Sequence, residues 1–152
     1  MKKTFFTSKE AARITGCSLR QLQYWREKGI IVPVVEGTGT GRSVYYSYSE
    51  LVELSLMKYL LSVGLSFVIA AHVLMMVRQQ NPDFIDPAIE QKLMLLWNRK
   101  TKKIQLEQLE REKAIAALDD GLPVIPVWLD SIHQHLTKYV EKRSKNDTNS
   151  NS

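Results

Sequence analysis

A mostly α chain with a small β component is predicted by three observations. Three capping boxes, Thr7 with Glu10, Ser18 with Gln21 and Ser47 with Glu50, open helices within the first fifty residues. Three alternating glycines, Gly37, Gly39 and Gly41, separate two runs rich in β-branched and aromatic residues. Further on, Ile104 and Leu106 alternate with polar neighbours after the apolar run Leu93 to Trp97, which is the period of a half-buried strand.

The first helix starts at Thr7, carries Ala11, Ala12 and Ile14 as a small apolar face, and stops at Gly16, which tolerates a left-handed backbone. The second starts at Ser18. Its stripe of Leu19, Leu22 and Trp25 is expected to be buried, leaving Arg20, Gln21, Gln23, Tyr24, Glu27 and Lys28 outward. Two helices so close must cross steeply, as in a helix-turn-helix. In that motif Arg and Gln of the second helix read base edges in the major groove, while Tyr and Lys hold phosphates. On an ordinary helical hairpin the same charges would merely be solvated, so neighbouring stretches must decide.

Ile30 to Val35 is extended around Pro33, and Ser43-Val44-Tyr45-Tyr46 returns after the loop Glu36 to Arg42. This hairpin is a wing, with Arg42 at its base placed for the DNA backbone or minor groove. A nucleotide-phosphate loop is disfavoured, since no Gly-Lys-Ser/Thr is present and a strand follows. Double-stranded DNA is thus the expected partner. The expected contact set is Ser18, Arg20, Gln21, Gln23, Tyr24 and Lys28 on the helix, with Arg42, Ser43 and Tyr45 on the wing.

A third helix is expected from Tyr48 to Val63, stopped by Gly64, and a fourth from a Ser66 cap to Gln80, stopped by Asn81-Pro82. Within the fourth, His72 reads as a core or interface residue and Met75 and Met76 as adaptable filling.

The 152 residues suffice for a real core. Net charge is +5, and the first fifty residues hold eight Lys or Arg against four acids, so +4 of it lies there. A basic end on a near-neutral body suits a polyanion. Cys17 is the only cysteine, which excludes an internal disulfide or a thiolate metal cage; in the helix turn it reads as a small buried residue. The run Leu65 to Val77 is too short to span a bilayer, and MKKTFF is followed by Ser8, Lys9 and Glu10 before any apolar region forms. The expectation is a soluble, cytoplasmic protein with no membrane partner.

Residues 1–80 form the expected DNA-binding domain, 81–87 a proline-bounded linker, 88–143 a dimerisation or effector region, and 144–152 a polar disordered tail. Two structures remain open for 88–120. One is a long dimerisation helix, whose heptad points Leu93, Leu96, Lys100 and Lys103 lose their apolar character halfway. The other, which the alternation favours, is a small α/β appendage. It has strands at Leu93–Trp97 and Lys103–Glu107, a helix at Leu109–Leu118, a strand at Pro123–Leu129 confined to an edge by its prolines, and a last helix capped by Asp130. Trp97 and Trp128 are expected to pack the appendage or a dimer seam, and His133 and His135, two apart on a helix, make a poor metal pair. No nucleophile and base, metal or cofactor constellation appears, so no enzyme and no cofactor is expected.

The ordered succession Thr7-x-x-Glu10-Ala11-Ala12, Thr15-Gly16, Arg20-x-Leu22-x-Tyr24-Trp25, Lys28-Gly29-Ile30-Ile31-x-Pro33, Gly41-Arg42, Tyr46-Ser47, Leu51-Val52 and Gly64-Leu65-Ser66 resembles the DNA-binding domain of the MerR family of bacterial transcription regulators. It covers roughly the first half of the chain. The resemblance implies that Arg20 and Tyr24 contact DNA, that Arg42 contacts the backbone, and that Leu22 and Trp25 are core. It also implies a homodimer on an inverted repeat in a promoter, with RNA polymerase as a further partner. Gln23 stands where many members have Arg, and Arg26 where many have Glu. Two other functions fit a similar fold: an excisionase-like factor that bends DNA, and a protein-interaction adaptor that no longer binds DNA.

Overall fold

The computed structural model describes residues 5–35 and 44–150, with side chains described as far as residue 140. Its elements are β1 (Phe5–Thr7), α1 (Ser8–Thr15), α2 (Leu19–Glu27), β2 (Tyr45–Ser47), α3 (Tyr48–Ser62), α4 (Phe67–Gln80), a 3-10 turn (Pro82–Ile85), β3 (Lys92–Asn98), β4 (Lys103–Gln108), α5 (Arg111–Asp119), β5 (Val124–Trp128) and α6 (Leu129–Ser150). The chain is predominantly helical with two small antiparallel sheets, a winged helix-turn-helix followed by a small α/β region.

The capping signals act where the sequence places them. Thr7 accepts the Glu10 N–H at 3.2 Å, Glu10 accepts the Thr7 N–H at 3.1 Å, and Gly16 closes α1 at φ 79°. Ser66 accepts the Ile69 N–H at 3.3 Å to start α4. At the start of α3 the Glu50 carboxylate receives the Ser47 N–H at 3.4 Å and also the Ser47 hydroxyl.

One hydrophobic cluster runs through both halves of the chain. Phe6, Ala11, Leu22, Trp25, Leu51, Leu54 and Leu74 join Leu93, Leu95, Leu106, Val127 and Leu136 in it. The three-stranded sheet has the order β4-β3-β5, all antiparallel, with Leu95 opposite both Leu106 and Ile125. Central β3 buries Leu93, Met94, Leu95 and Leu96 consecutively, so both of its faces are covered. Pro126 sits on edge strand β5, where its missing N–H costs no ladder bond on the open side.

The second half therefore takes the α/β form; the long helix is excluded by the β3–β4 ladder. Several finer expectations change. No element is expected before the Thr7 cap, yet Phe5–Thr7 pairs with Tyr45–Ser47 and becomes the main partner of the returning wing strand. Of the segment before the wing, only Val35 bridges to Tyr45. Leu109 continues the ladder through its N–H to the Lys92 carbonyl at 2.9 Å, which delays α5 to Arg111. Asp130 does not cap the last helix: α6 starts at Leu129, and the Asp130 carboxylate instead accepts the Gln91 N–H at 2.7 Å, tying the entry of β3 to α6. The backbone of α6 stays helical to Ser150, where composition alone predicts a disordered tail from 144. Extending a helix already nucleated on the core fixes one residue per added hydrogen bond, which poor helix formers can sustain. His72 is exposed on α4, so it is not part of this chain's core, while Trp97 and Trp128, 38% and 45% exposed, are partly packed within the chain.

A buried imidazole joins the two halves. The His133 Nε2 lies 2.7 Å from the Phe84 carbonyl oxygen, which can only accept, so Nε2 carries the proton. Nδ1 then accepts from the Tyr48 hydroxyl at 2.6 Å. Burial, followed by the charge of Asp86, pushes the Tyr48 phenol up to about 12 from 10.0. Between pH 10 and 12 the unfolded chain releases this proton while the folded chain keeps it, so stability falls as pH rises through that window. Tyr48→Phe removes this contribution. Its denaturation midpoint, followed against pH, is expected to decline less across the window than that of the unsubstituted protein.

Candidate nucleic-acid interface

The turn between α1 and α2 is fixed locally. Thr15 donates its hydroxyl to the Ala11 carbonyl at 2.7 Å and accepts the Cys17 N–H at 3.3 Å. The Cys17 thiol is buried, lies 3.5 Å from the Leu54 carbonyl oxygen, and is pushed up by that burial, so it stays protonated and packs as a small apolar group. Ser18 and Gln21 exchange hydrogen bonds at 3.0 Å in both directions to open α2.

Leu22 and Trp25, each 2% exposed, hold α2 against the core. Leu19, expected in the same stripe, is 50% exposed: as the first helical residue it projects from the end of α2. At the far end, Gly29 adopts φ 69° and Ile30 returns its N–H to the Trp25 carbonyl at 2.9 Å. Arg78 of α4 donates from Nη2 to the Ile30 carbonyl at 2.7 Å and from Nε to the Glu53 carboxylate. The exit of α2 is thereby pinned to both α3 and α4. Burial pushes the Glu53 carboxyl upward and the Arg78 guanidinium opposes the shift.

The outward face is not uniform. Arg20 is exposed and engages no other described residue. Gln21 has its carbonyl oxygen committed to the cap, leaving only its amide N–H groups to donate outward. Gln23 donates to the Glu27 carboxylate at 3.1 Å along the helix. Tyr24 is 43% exposed, its ring centroid 5.2 Å from that of Phe67, while the Lys28 ammonium lies 5.6 Å from the Tyr24 centroid. Ser18 caps, and Tyr45 is half-buried where β2 meets Thr7 and Val35. Arg42 and Ser43 lie outside the described residues. The structure thus brings Arg20, Gln21, Gln23, Tyr24 and Lys28 together on one helix.

Two residues were missed by sequence reasoning. Phe67 braces Tyr24, and Arg78 fixes where α2 ends. The Gly64-Leu65-Ser66 start of α4 was visible, but nothing in it says which α2 residue Phe67 meets. Among the described residues there is no group of three or more His, Cys, Asp or Glu that could hold a metal, and no helix is long and apolar enough to cross a membrane.

A short helix-turn-helix, a paired wing strand and a braced second helix define a helix-turn-helix regulatory domain. Residues 6–75 match the family described as MerR HTH family regulatory protein, so this stretch is a MerR-type helix-turn-helix domain. Uncharacterised HTH-type transcriptional regulators of Mycobacterium bovis and Mycobacterium tuberculosis are 35% identical to it over 57 residues. That stretch is 37% of this chain, and it spans 25% of the length of those relatives.

Proposed function

We propose that this is a transcription regulator that binds a promoter as a homodimer on an inverted repeat, one α2 to each half-site. The observation that carries the reading is the contrast on α2: its neighbours are capped, paired or braced, whereas Arg20 projects with no partner among the described residues. An unpaired guanidinium on a rigid helix suits bidentate reading of guanine. Tyr24 and Lys28 lie one and two turns on, in reach of the adjoining phosphates, and the wing with Arg42, Ser43 and Tyr45 follows the backbone beside them. One such unit covers a single half-site, so specificity in a genome calls for a second copy. RNA polymerase at the same promoter is the further partner.

Fluorescence anisotropy on the DNA upstream of the protein's own gene tests this. The logarithm of affinity is expected to fall linearly with the logarithm of salt concentration, and an equal concentration of unrelated duplex should not compete. A flat salt response would remove the DNA-binding assignment.

A further inference from the structure

A groove runs between α3 and α6, away from the reading face of α2. One lobe, of about 230 Å³, is lined by Tyr59 of α3, Pro126 and Trp128 of β5, and Ser131 and Ile132 of α6. A second lobe, of about 240 Å³, shares Tyr59, Ser131 and Ile132 with the first and adds Thr15, Ser55, Lys58 and His135. With that shared wall the lobes make one cleft, of a size that suits a small molecule. Their chemistry differs. The first offers two aromatic rings, a proline and an isoleucine, and Trp128 keeps 45% of its surface exposed there. Lys92, whose ammonium lies 5.3 Å from the Trp128 ring centroid, lines a neighbouring cleft and not this one. The second lobe carries the polar groups. Ser55 Oγ is shut off from solvent with no hydrogen-bond partner among the described residues, a state that folded chains rarely leave in place. Ser55 itself is half-buried and lines the lobe, so a change of χ1 rotamer turns its hydroxyl into the groove. Lys58 is exposed and forms no ion pair with a described residue. Its stem runs beside the turn after α1, with Cε 3.8 Å from where a Cβ on Gly16 would sit.

From this pairing of an aromatic lobe with a free cation and an unsatisfied hydroxyl, we infer that the groove binds a small aromatic carboxylate. Its ring lies against Tyr59 and Trp128, and its carboxylate accepts from Lys58 Nζ and Ser55 Oγ. The neighbouring cleft is larger, about 460 Å³, but Glu90, Lys92 and Asp130 set charges of both signs around it and select no ligand. The far wall of the groove is the turn that sets α2. Thr15 fixes that turn through its hydroxyl, and the His135 Nε2 of α6 lies 3.1 Å from the Ile14 carbonyl oxygen, one of those left over at the end of α1. A ligand held between Lys58, Thr15 and α6 therefore ties the appendage to the reading head, so that ligand and DNA alter each other's affinity by the same factor. That consequence, unlike the site itself, rests on the DNA-binding reading above.

Isothermal titration calorimetry of the full chain at neutral pH, with hydrocinnamate and with its uncharged amide, is the test. The acid is expected to bind with a dissociation constant on the order of 0.1 mM, and the amide about tenfold more weakly. Lys58→Met should erase that preference, so that acid and amide bind alike. Ser131→Trp, at an exposed position lining both lobes, should fill the groove and abolish binding while thermal unfolding of the free protein stays unchanged. Equal binding of acid and amide by the unsubstituted protein, acid binding that survives Ser131→Trp, or no saturable heat up to about 10 mM would each overturn the site. Operator affinity, measured by anisotropy with and without saturating acid, should change in the unsubstituted protein and not in Ser131→Trp. An affinity indifferent to the acid would overturn the coupling and leave the site standing. A protein that binds the acid but no DNA would overturn the DNA-binding reading and, again, not the site.

Discussion

Arg20→Ala is expected to weaken binding to the operator by roughly tenfold to a hundredfold, the effect of about 1–3 kcal/mol for a lost bidentate base contact. Arg20 is exposed and has no partner among the described residues, so its removal leaves none of their buried groups unsatisfied. Thermal stability should change by no more than about 0.5 kcal/mol. The loss should be concentrated at one base position: with that base pair changed, the variant and the original protein should bind almost alike. Tyr24→Phe offers the contrast. It keeps the ring that packs on Phe67 and removes only the hydroxyl, so binding should weaken evenly across sequences. Titrations of each variant against a panel of singly substituted duplexes distinguish the two patterns.

The largest effect on stability is expected from Trp25→Ala. Trp25 is 2% exposed and is the largest side chain fixing α2 to the core. Deleting a buried indole costs about 3–5 kcal/mol through lost transfer energy and the cavity left behind. Against a typical total of roughly 5–15 kcal/mol this is a large fraction. Leu19→Ala, at a position 50% exposed in the same helix, should change stability far less. Chemical denaturation followed by circular dichroism checks both. DNA binding by the Trp25 variant should disappear at the temperature where its fold does, whereas the Arg20 variant loses binding while folded.

The parts of this structure legible in the sequence are those set by local chemistry. Thr7 with Glu10, Ser18 with Gln21 and the left-handed Gly16 each determine a helix end within a few residues, so the helix-turn-helix follows directly from its own stretch. The β3–β4 pair was readable too, because Ile104 and Leu106 alternate while the heptad at 93–103 fails. Contacts between distant residues were not readable. β1 has only three residues, and its partner β2 lies some forty residues on, so no periodicity announces it. Asp130 looks like a cap by type, but a carboxylate bonds whichever N–H is nearest, and packing of α6 on β3 presents that of Gln91. Leu19 shows the limit of a three-residue stripe: spacing fixes the side of the helix, but Leu19 is the first residue of α2 and stays 50% exposed. On the reading face, residue types suggested the candidates, and only the structure separates the uncommitted Arg20 from Gln21 and Gln23, which bond within their own helix.

The central claim is that α2 reads DNA in two symmetric copies. Footprinting the purified protein on the region upstream of its own gene tests it most directly. The predicted result is protection of two half-sites in inverted orientation, their centres about one helical turn or a multiple of it apart, lost in the Arg20→Ala variant. No protection at any protein concentration would contradict DNA recognition itself and favour an adaptor. Protection confined to direct, attachment-like repeats would contradict the promoter-bound dimer and favour a DNA-bending accessory factor.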